Sequence, residues 1–501
     1  MNIKVKFLDI STEPAVLMND EDALKIGGKD NDRVRIDGKR TITALLNVSD
    51  FVTPGEAIVS SNLKDKLNAK DGDELNMVYA SSPESVRSIR RKMDNEKLSK
   101  EEINAIVQDI LDNRLSKIEI SAWLTALYIN GMDIEEIAAF TQAMVDTGDR
   151  VEFDRTPVYD FHSLGGVPGN KITPIVVSIV AAAGLMLPKT SSRAISSACG
   201  TSDFVETFCD VEMDADTLKR ISEKIGGVLA WGGAMNLAPV DDMVIKVEHP
   251  LGINPRAQML ASILSKKLAI GATHLVVDIP TGAGTKVPTI EVARAYARDF
   301  MDLGEKLDLH IECAITYADQ PVGSAIGPKL EARECIRILE GEKHPASVIE
   351  KACDIAGIIL EMGGIANGGE KARELLESGA AMTKFREIVQ AQNGNYDLKS
   401  SDLVPGEFMI EIRSTKSGYV HSISNKDLVS IAKAAGSPSD KGAGILLMKK
   451  KGQRVEKGET LFEIYGDNKA KVDRAKELAI KYQPFDIEGM LLKRIAAPRT
   501  R

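Results

Sequence analysis

Short apolar segments alternate with longer helical segments through the middle of the chain. The candidate strands are Val158–Phe161, Leu275–Ile279 and Leu309–Ile315, and Gly-rich turns follow several of them. This alternation is typical of an α/β fold, in which functional loops lie at the carboxyl ends of the strands. The sequence therefore predicts a central domain with a mixed or parallel sheet over residues 156–395.

The first 80 residues predict a separate β-rich module. Residues 26–34 resemble residues 67–75, and in each copy turn-forming residues precede a segment of alternating apolar and polar residues. A duplicated pair of strands that closes into a small barrel is the simplest interpretation. The alternative is two similar turns without duplication.

Residues 81–155 change to helical periodicity and predict a helical domain. Ser99 and Glu102 have the spacing of a capping box, and apolar residues follow at helical intervals. We expect further helices of this domain at about residues 240–267. Short strands punctuated by glycine and one terminal helix predict an α+β domain over residues 400–501. The predicted fold class is thus multidomain α/β.

Bulk properties exclude several classes of protein. The chain has 501 residues and a formal net charge of −9, which argues against a broad basic surface for nucleic acid or membrane. No apolar run is long enough to span a bilayer, and the first residues do not resemble a signal peptide. The five cysteines are odd in number and lack metal-ligand spacing. We therefore expect a cytoplasmic protein with no metal and no nucleic-acid or membrane partner.

A Gly-rich loop follows the first candidate strand. It contains His162, Ser163, Gly165 and Gly166 and leads into a helix-like run. Glycines let the backbone approach a ligand, and the next helix presents free N–H groups. The loop suits an oxyanion such as phosphate, and the alternative is a tight structural turn.

A second loop, residues 191–203, concentrates small hydroxyl side chains around Arg193. A guanidinium group can make a forked, charge-assisted contact to phosphate. The alternative is that Ser202 or Asp203 only caps a helix, which we predict from Phe204 onward.

Two further elements carry hydroxyls and lysines. Ser262 and Lys266 are four residues apart, so they share one face of a predicted helix. A Gly/Thr-rich loop over residues 278–286 follows a buried strand and ends at Lys286, a further candidate anion site. The alternative for either lysine is a solvated surface charge. The spacing fits neither a nucleotide P-loop nor a hydrolase nucleophile elbow.

Several of these motifs resemble the thymidine and pyrimidine nucleoside phosphorylases. His162-Ser163-Leu-Gly165-Gly166-Val is similar to their first phosphate loop, and residues 192–203 are similar to their second. Residues 261–267 resemble their base-contacting helix. The resemblance runs in order from about Leu98 to the C-terminus and implies their multidomain fold.

Within this superfamily the chain resembles the archaeal AMP phosphorylases more closely. Phe161 replaces the lysine that precedes the histidine in the pyrimidine enzymes, and Val247 lies where their base-binding arginine is expected. The extra N-terminal module of about 80 residues is also similar to the archaeal group.

The resemblance implies phosphorolysis of a nucleoside 5′-monophosphate, with AMP favoured and CMP or UMP as further candidates. The products are the free base and ribose 1,5-bisphosphate. Inorganic phosphate is the co-substrate, no other cofactor is implied, and the superfamily forms at least dimers. His162 is implied to line the centre where phosphate and ribose meet. The implied phosphate-binding residues are Ser163, Gly165 and Lys266. The implied substrate-binding residues are Gly166, Ser192, Arg193, Ala194, Ile195, Ser196, Ser197, Thr201, Ser262 and Lys286.

One position departs from the archaeal pattern. The group's proton donor is an aspartate in a segment like Pro-Leu-x-Ile-Asp-Pro, and this chain has Asn254 there. An amide can donate a hydrogen bond but cannot act as a carboxylic acid. Another group such as His249 supplies the proton, or the enzyme is slow, or the chain is an altered variant.

Three other functions stay open at this point. They are a pyrimidine nucleoside phosphorylase, an enzyme similar to anthranilate phosphoribosyltransferase, and a nucleotide-binding scaffold with weak or no catalysis.

Overall fold

The computed structural model describes residues 1–9, 14–165, 167–194 and 197–491. The chain divides into two compact units. The first unit comprises residues 1–149 and 238–266, and the second comprises residues 150–237 and 267–501. Among the described residues, no helix has both the length and the apolar composition needed to cross a bilayer.

A closed six-stranded barrel occupies the first 80 residues, with strand order β1-β5-β2-β4-β3-β6. Burial alternates along the strands, as the buried Ile3 and Val5 beside the exposed Lys4 illustrate, so every second side chain fills the barrel. The two predicted copies of the repeat supply β3 and β6, which pair antiparallel. The elements are β1 (Asn2–Leu8), β2 (Ala15–Met18), α1 (Asp20–Lys25), β3 (Arg33–Asp37), β4 (Thr41–Val48), β5 (Glu56–Ser60), α2 (Lys64–Leu67) and β6 (Glu74–Ala80).

Four helices follow the barrel. The predicted capping box of Ser99 and Glu102 is present, and equivalent boxes begin the next two helices. Each box satisfies backbone N–H groups that the first turn leaves without partners. The helices are α3 (Ser85–Met93), α4 (Lys100–Leu111), α5 (Lys117–Asn130) and α6 (Ile134–Asp146).

The middle of the chain alternates strands and helices as predicted. Its strands are β7 (Tyr159–Ser163), β8 (Leu187–Ser191), β9 (Gly227–Trp231), β10 (His274–Thr281), β11 (His310–Tyr317) and β12 (Ala325–Ile326). Its helices are α7 (Thr173–Ala182), α8 (Thr201–Val205), α9 (Ala215–Ile225), α10 (Pro239–Leu251), α11 (Arg256–Ala269), α12 (Ile290–Lys306), α13 (Pro328–Leu339), α14 (Ala346–Met362), α15 (Gly368–Glu377) and α16 (Ala380–Ala391).

Parallel pairing determines where the loops of this region emerge. Strand β10 lies between β7 and β11, and all three run parallel. Ser163 on β7 pairs with Asp278 on β10, so the loops after β7 and β10 leave the same edge of the sheet. Strands β8 and β9 form a second parallel pair.

The C-terminal part contains two antiparallel sheets, with strand orders β12-β15-β17-β13 and β16-β14-β18. Phe462 and Phe485 stack in its core with ring centroids 5.5 Å apart. The elements are β13 (Phe408–Arg413), β14 (Gly418–Ile423), α17 (Asn425–Ala435), β15 (Gly444–Leu447), β16 (Arg454–Val455), β17 (Thr460–Gly466), α18 (Lys469–Tyr482) and β18 (Phe485–Glu488).

Candidate functional site

The first Gly-rich loop leaves the end of β7 in the second unit. His162 and Ser163 are the last two residues of that strand and are half-buried, and Gly165 is exposed. Leu164 N–H donates to the carbonyl of Asp278 at 2.9 Å, which fixes the start of the loop to β10. Gly166 lies outside the described residues.

The far end of this loop requires glycine and is held by the chain after β11. Gly169 has φ +73°, and a Cβ there would lie 2.5 Å from the carbonyl oxygen of Val322. The buried Lys171 places its Nζ 2.5 Å from Glu334 and 3.3 Å from the Val322 carbonyl. The loop is therefore fixed at its start by β10 and at its far end by the contacts of Gly169 and Lys171.

Asp203 organises the second loop. Its Oδ2 accepts from the backbone N–H groups of Ala194 at 2.7 Å and Gly200 at 2.8 Å. Because this carboxylate caps residue 200, the helix begins at Thr201 and not at Phe204 as the sequence predicted. A Cβ on Gly200 would lie 2.6 Å from Ala194 N, so the loop folds tightly on itself. Ile195 and Ser196 lie outside the described residues.

Arg193 is already engaged within the protein. Its guanidinium contacts Glu206 at 2.8 Å and Glu212 at 2.9 Å and stacks over Trp231, 4.4 Å from the ring centroid. Its charge is therefore balanced by two carboxylates. A role for Arg193 in phosphate binding stays a prediction.

Three hydroxyl groups, at the ends of β7 and β8 and at the start of α8, have no hydrogen-bond partner in the described part of the chain. The side chains of Ser163, Ser192 and Thr201 make no hydrogen bond there. Ser163 and Thr201 are half-buried, and Ser192 is exposed. Ser197 Oγ instead donates to the Cys199 carbonyl at 3.2 Å. The three hydroxyls can each donate to an anion.

The loop after β10 carries Lys286, whose side chain is exposed. Asp319 fixes this loop, because its Oδ1 accepts from Ala283 N–H at 2.8 Å. A Cβ on Gly282 would lie 2.5 Å from Asp319 N, so only glycine allows this approach.

A buried aspartate on α10 holds the face of α11 that carries Ser262 and Lys266. Asp241 Oδ2 accepts from Ser262 Oγ at 2.8 Å and lies 2.5 Å from Lys266 Nζ, and Oδ1 accepts from Gln258 Nε2 at 2.9 Å. Burial lowers the pKa of Lys266, but the charge and hydrogen bond of Asp241 outweigh it, so that this pKa is raised. The helix face predicted from the spacing of Ser262 and Lys266 is thus confirmed. All four residues lie in the first unit.

Asn254 lies in the short connection between α10 and α11, also in the first unit. It is exposed, and its Nδ2 lies 3.7 Å from Met259 Sδ, a weak contact. His249, near the end of α10, is exposed as well. Neither Asn254 nor His249 contacts a carboxylate among the described residues.

A second buried aspartate lies beneath the loops of the second unit, and sequence reasoning assigned it no role. Asp160 Oδ1 is 3.2 Å from Lys189 Nζ, and Oδ2 is 2.7 Å from Lys267 Nζ. All three side chains are buried. Burial lowers the pKa of Lys189 to about 7, which the charge of Asp160 opposes. A single charged residue inside each of two short strands was the available signal for Asp160 and Lys189, whereas Lys267 lies in α11.

One group of possible metal ligands occurs among the described residues. The ligand atoms of His421, Asp486 and Glu488 lie within 4.8 Å of one another, on β14 and β18. His421 and Asp486 are exposed, and the group belongs to none of the loops described above.

Comparison with known proteins assigns the class. Residues 86–148 match a glycosyl transferase family helical bundle domain, and residues 155–382 match the a/b domain of the same family. Residues 419–485 match a pyrimidine nucleoside phosphorylase C-terminal domain. The chain therefore combines the two domains of this glycosyl transferase family with a phosphorylase-type C-terminal domain.

Full-length relatives narrow this class. The chain is 49% identical over 500 residues to the AMP phosphorylase of Thermococcus kodakarensis, covering 99% of both chains. It is 51% identical over 498 residues to the AMP phosphorylase of Pyrococcus abyssi, covering 98% of this chain and 99% of the relative. The chain belongs to the AMP phosphorylase family.

A solved structure shares the fold at greater distance. Anthranilate phosphoribosyltransferase from Thermus thermophilus aligns with a TM-score of 0.52 at 20% identity, covering 61% of this chain and 99% of that one. At this identity the likeness shows the common fold alone.

Proposed function

We propose that this chain cleaves AMP with inorganic phosphate to give adenine and ribose 1,5-bisphosphate. The observation that carries the proposal is the set of hydroxyls of Ser163 and Ser192, at the ends of β7 and β8, and of Thr201, at the start of α8, which make no hydrogen bond within the described residues. Hydroxyls that lack protein partners can donate to phosphate oxygens. Membership of the AMP phosphorylase family supports the same reaction.

The residue roles are part of this proposal. Ser163, Gly165 and Lys266 bind phosphate, and His162 lines the centre where phosphate and ribose meet. The nucleotide contacts Gly166, the loop residues 192–197, Thr201, Ser262 and Lys286.

Phosphate bound in this way promotes cleavage of the glycosidic bond in two ways. Cleavage of an N-glycosidic bond develops positive charge on the sugar, and a phosphate dianion beside it stabilises that charge. Fixed placement of the phosphate also makes its attack effectively unimolecular. The loops that Asp203, Asp319 and Lys171 hold in place supply this preorganisation.

The test is to incubate the full chain with AMP, CMP, UMP and their nucleosides, including thymidine, in phosphate buffer, and to quantify free base and ribose 1,5-bisphosphate. Release of adenine from AMP that depends on phosphate is the expected result. Base release from thymidine but not from AMP would contradict the proposal. A parallel reaction with EDTA tests the expectation that no metal is required, because activity should not change.

The leaving base also needs a proton. General acid catalysis contributes roughly 10²–10⁴-fold in rate, and Asn254 cannot supply a proton as an acid. We expect Asn254→Asp to raise kcat on AMP by about tenfold or more, because it places a carboxyl group in the segment between α10 and α11. Asn254→Ala is the matched control and should give no rise. An unchanged or lower kcat/KM in the aspartate variant would contradict this role for position 254.

The oligomeric state, the cellular compartment and the domain boundaries of the chain are also part of the proposal. We infer a cytoplasmic enzyme that forms at least a homodimer, in which residues 1–80, 81–155, 156–395 and 400–501 are distinct modules. Light scattering on the full chain measures the mass in solution. A monomeric mass would contradict the inferred assembly.

A further inference from the structure

A charged cavity of about 500 Å³ lies in the second unit, between α13, the segment after it and the C-terminal sheet. Its lining contains none of the strand-end loop residues described above. Gln320, Ser324 and Ala325 line one side, and Arg333, Glu334 and Arg337 line another. The volume is within the range of pockets that hold small organic ligands.

Two cations in this cavity form no salt bridge with a carboxylate within the described residues, although the charge of Glu334 acts on both. Arg333 makes no hydrogen bond or ion pair there. Lys450 donates to two backbone carbonyls, those of Pro321 at 2.5 Å and Gly323 at 2.6 Å, and contacts no carboxylate. Burial lowers the pKa of Lys450 to about 8, so that most of its charge remains at neutral pH.

The two acidic residues of the lining are already balanced by other cations. Glu334 lies 2.5 Å from the buried Lys171 and also accepts from Ser324 N–H at 3.1 Å. Glu342 lies 3.8 Å from Arg337. Three cations, Arg333, Arg337 and Lys450, line the cavity with two carboxylates, so the lining has an excess of positive charge.

The remaining polar groups suit an anion with an organic part. The Ser347 hydroxyl oxygen accepts from Gly323 N–H at 3.3 Å, so its own proton stays available for donation. Arg333 and Arg337 are one helical turn apart, and Pro345 and Leu446 give the lining an apolar part. A guanidinium group and an ammonium group together favour the two or three oxygens of a phosphate group.

We propose that this cavity binds a phosphate monoester of a small organic molecule, either a sugar phosphate or a nucleotide. Arg333 and Lys450 hold the phosphate group, and the organic part occupies the remaining volume. This site is separate from the strand-end loops and does not depend on the reaction proposed above.

Arginine-specific labelling of the intact full-length protein with phenylglyoxal tests the proposal. Peptide mass spectrometry then reports the labelling of Arg333 with and without each probe. We expect ribose 5-phosphate, adenosine 3′-monophosphate or both to protect Arg333, and unphosphorylated ribose to give no protection. Protection by only one of the two phosphorylated probes identifies the class of organic part. Absence of protection by both would overturn the proposal, as would equal protection by inorganic phosphate at the same concentration.

Equilibrium binding of the protecting probe gives an independent test. Arg333→Gln should lower the affinity for the protecting probe by at least about tenfold, because a charge-assisted hydrogen bond is lost. Arg333→Lys should restore part of that affinity. Arg474→Gln, at an exposed position of α18, is the matched control and should bind like the unaltered protein. If Arg333→Gln also binds like the unaltered protein, the assignment is wrong. Because the labelling uses the unaltered protein, it decides the question even if a variant fails to fold.

Discussion

Asp241 in the first unit and Asp160 in the second are both completely buried, and each lies against cationic side chains. Their partners differ in accessibility. The Lys266 side chain beside Asp241 is 31% exposed, whereas those of Lys189 and Lys267 beside Asp160 are 5% and 4% exposed. Asp241 therefore orients groups that a ligand can reach, and Asp160 balances charge inside the fold.

The charge balance differs as well. Asp241 is shared by one lysine and two neutral donors, whereas Asp160 is shared by two lysines. Burying an ion is costly unless it is paired, and one carboxylate does not fully compensate two ammonium groups. Burial accordingly lowers the pKa of Lys189, and the charge of Asp160 opposes that shift.

The largest effect expected is on stability, from Asp160→Asn. Removal of this carboxylate leaves two buried lysines without a counter-charge, a change that costs about 3–5 kcal/mol. Thermal unfolding followed by circular dichroism measures the loss. Asp154→Asn is the control, because Asp154 pairs with Lys219 while its side chain is 85% exposed, and exposed pairs contribute at most about 1 kcal/mol. Equal shifts in Tm for the two variants would remove the distinction between the clusters.

The next effect is on substrate binding, from Asp241→Asn. Lys266 and Ser262 lose the charged acceptor that orients them, so KM for AMP should rise by about tenfold or more. The loss of Tm should be smaller than for Asp160→Asn, because water can solvate the half-exposed Lys266. Asp242→Asn is the matched control, since this neighbouring carboxylate is 3.9 Å from Lys266 and 50% exposed. Steady-state kinetics that do not separate the two variants would argue against a positioning role for Asp241.

The smallest effect is a pH dependence that Lys189 gives to the second cluster. Its pKa in the folded protein is lowered to about 7 by burial, so between that pH and its ordinary pKa the unfolded chain binds more protons. The free energy of unfolding should therefore increase as pH rises through this window. Lys189→Met should lose this increment, whereas Lys219→Met, at a more accessible lysine, should retain it. Denaturant unfolding at several pH values, compared as differences from the unaltered protein, measures the slope. A Lys189→Met profile parallel to that of the unaltered protein would show that Lys189 does not titrate there.

Helices and strands could be predicted from the sequence because their patterns depend on interactions between residues that are close in sequence. The Ser99 capping box, the helical period after it and the alternating strands at 34–36 and 75–78 depend on neighbours in sequence. For the same reason the spacing of Ser262 and Lys266 correctly predicted one helix face.

The carboxylates that hold the site were not predictable in this way. Asp241 is 21 residues from Ser262, and Asp160 is 107 residues from Lys267, so only the tertiary fold brings them together. The start of α8 was predicted at Phe204, which is too late. The side chain of Asp203 accepts from Gly200 N–H and so caps a helix that begins at Thr201.

The sharing of Asp241 among three side chains also constrains how this family can change. A substitution at Gln258, Ser262 or Lys266 alters the hydrogen bonding left to the other two, so their effects should not add. Variation there should appear as linked sets of residues, and single exchanges should be rare.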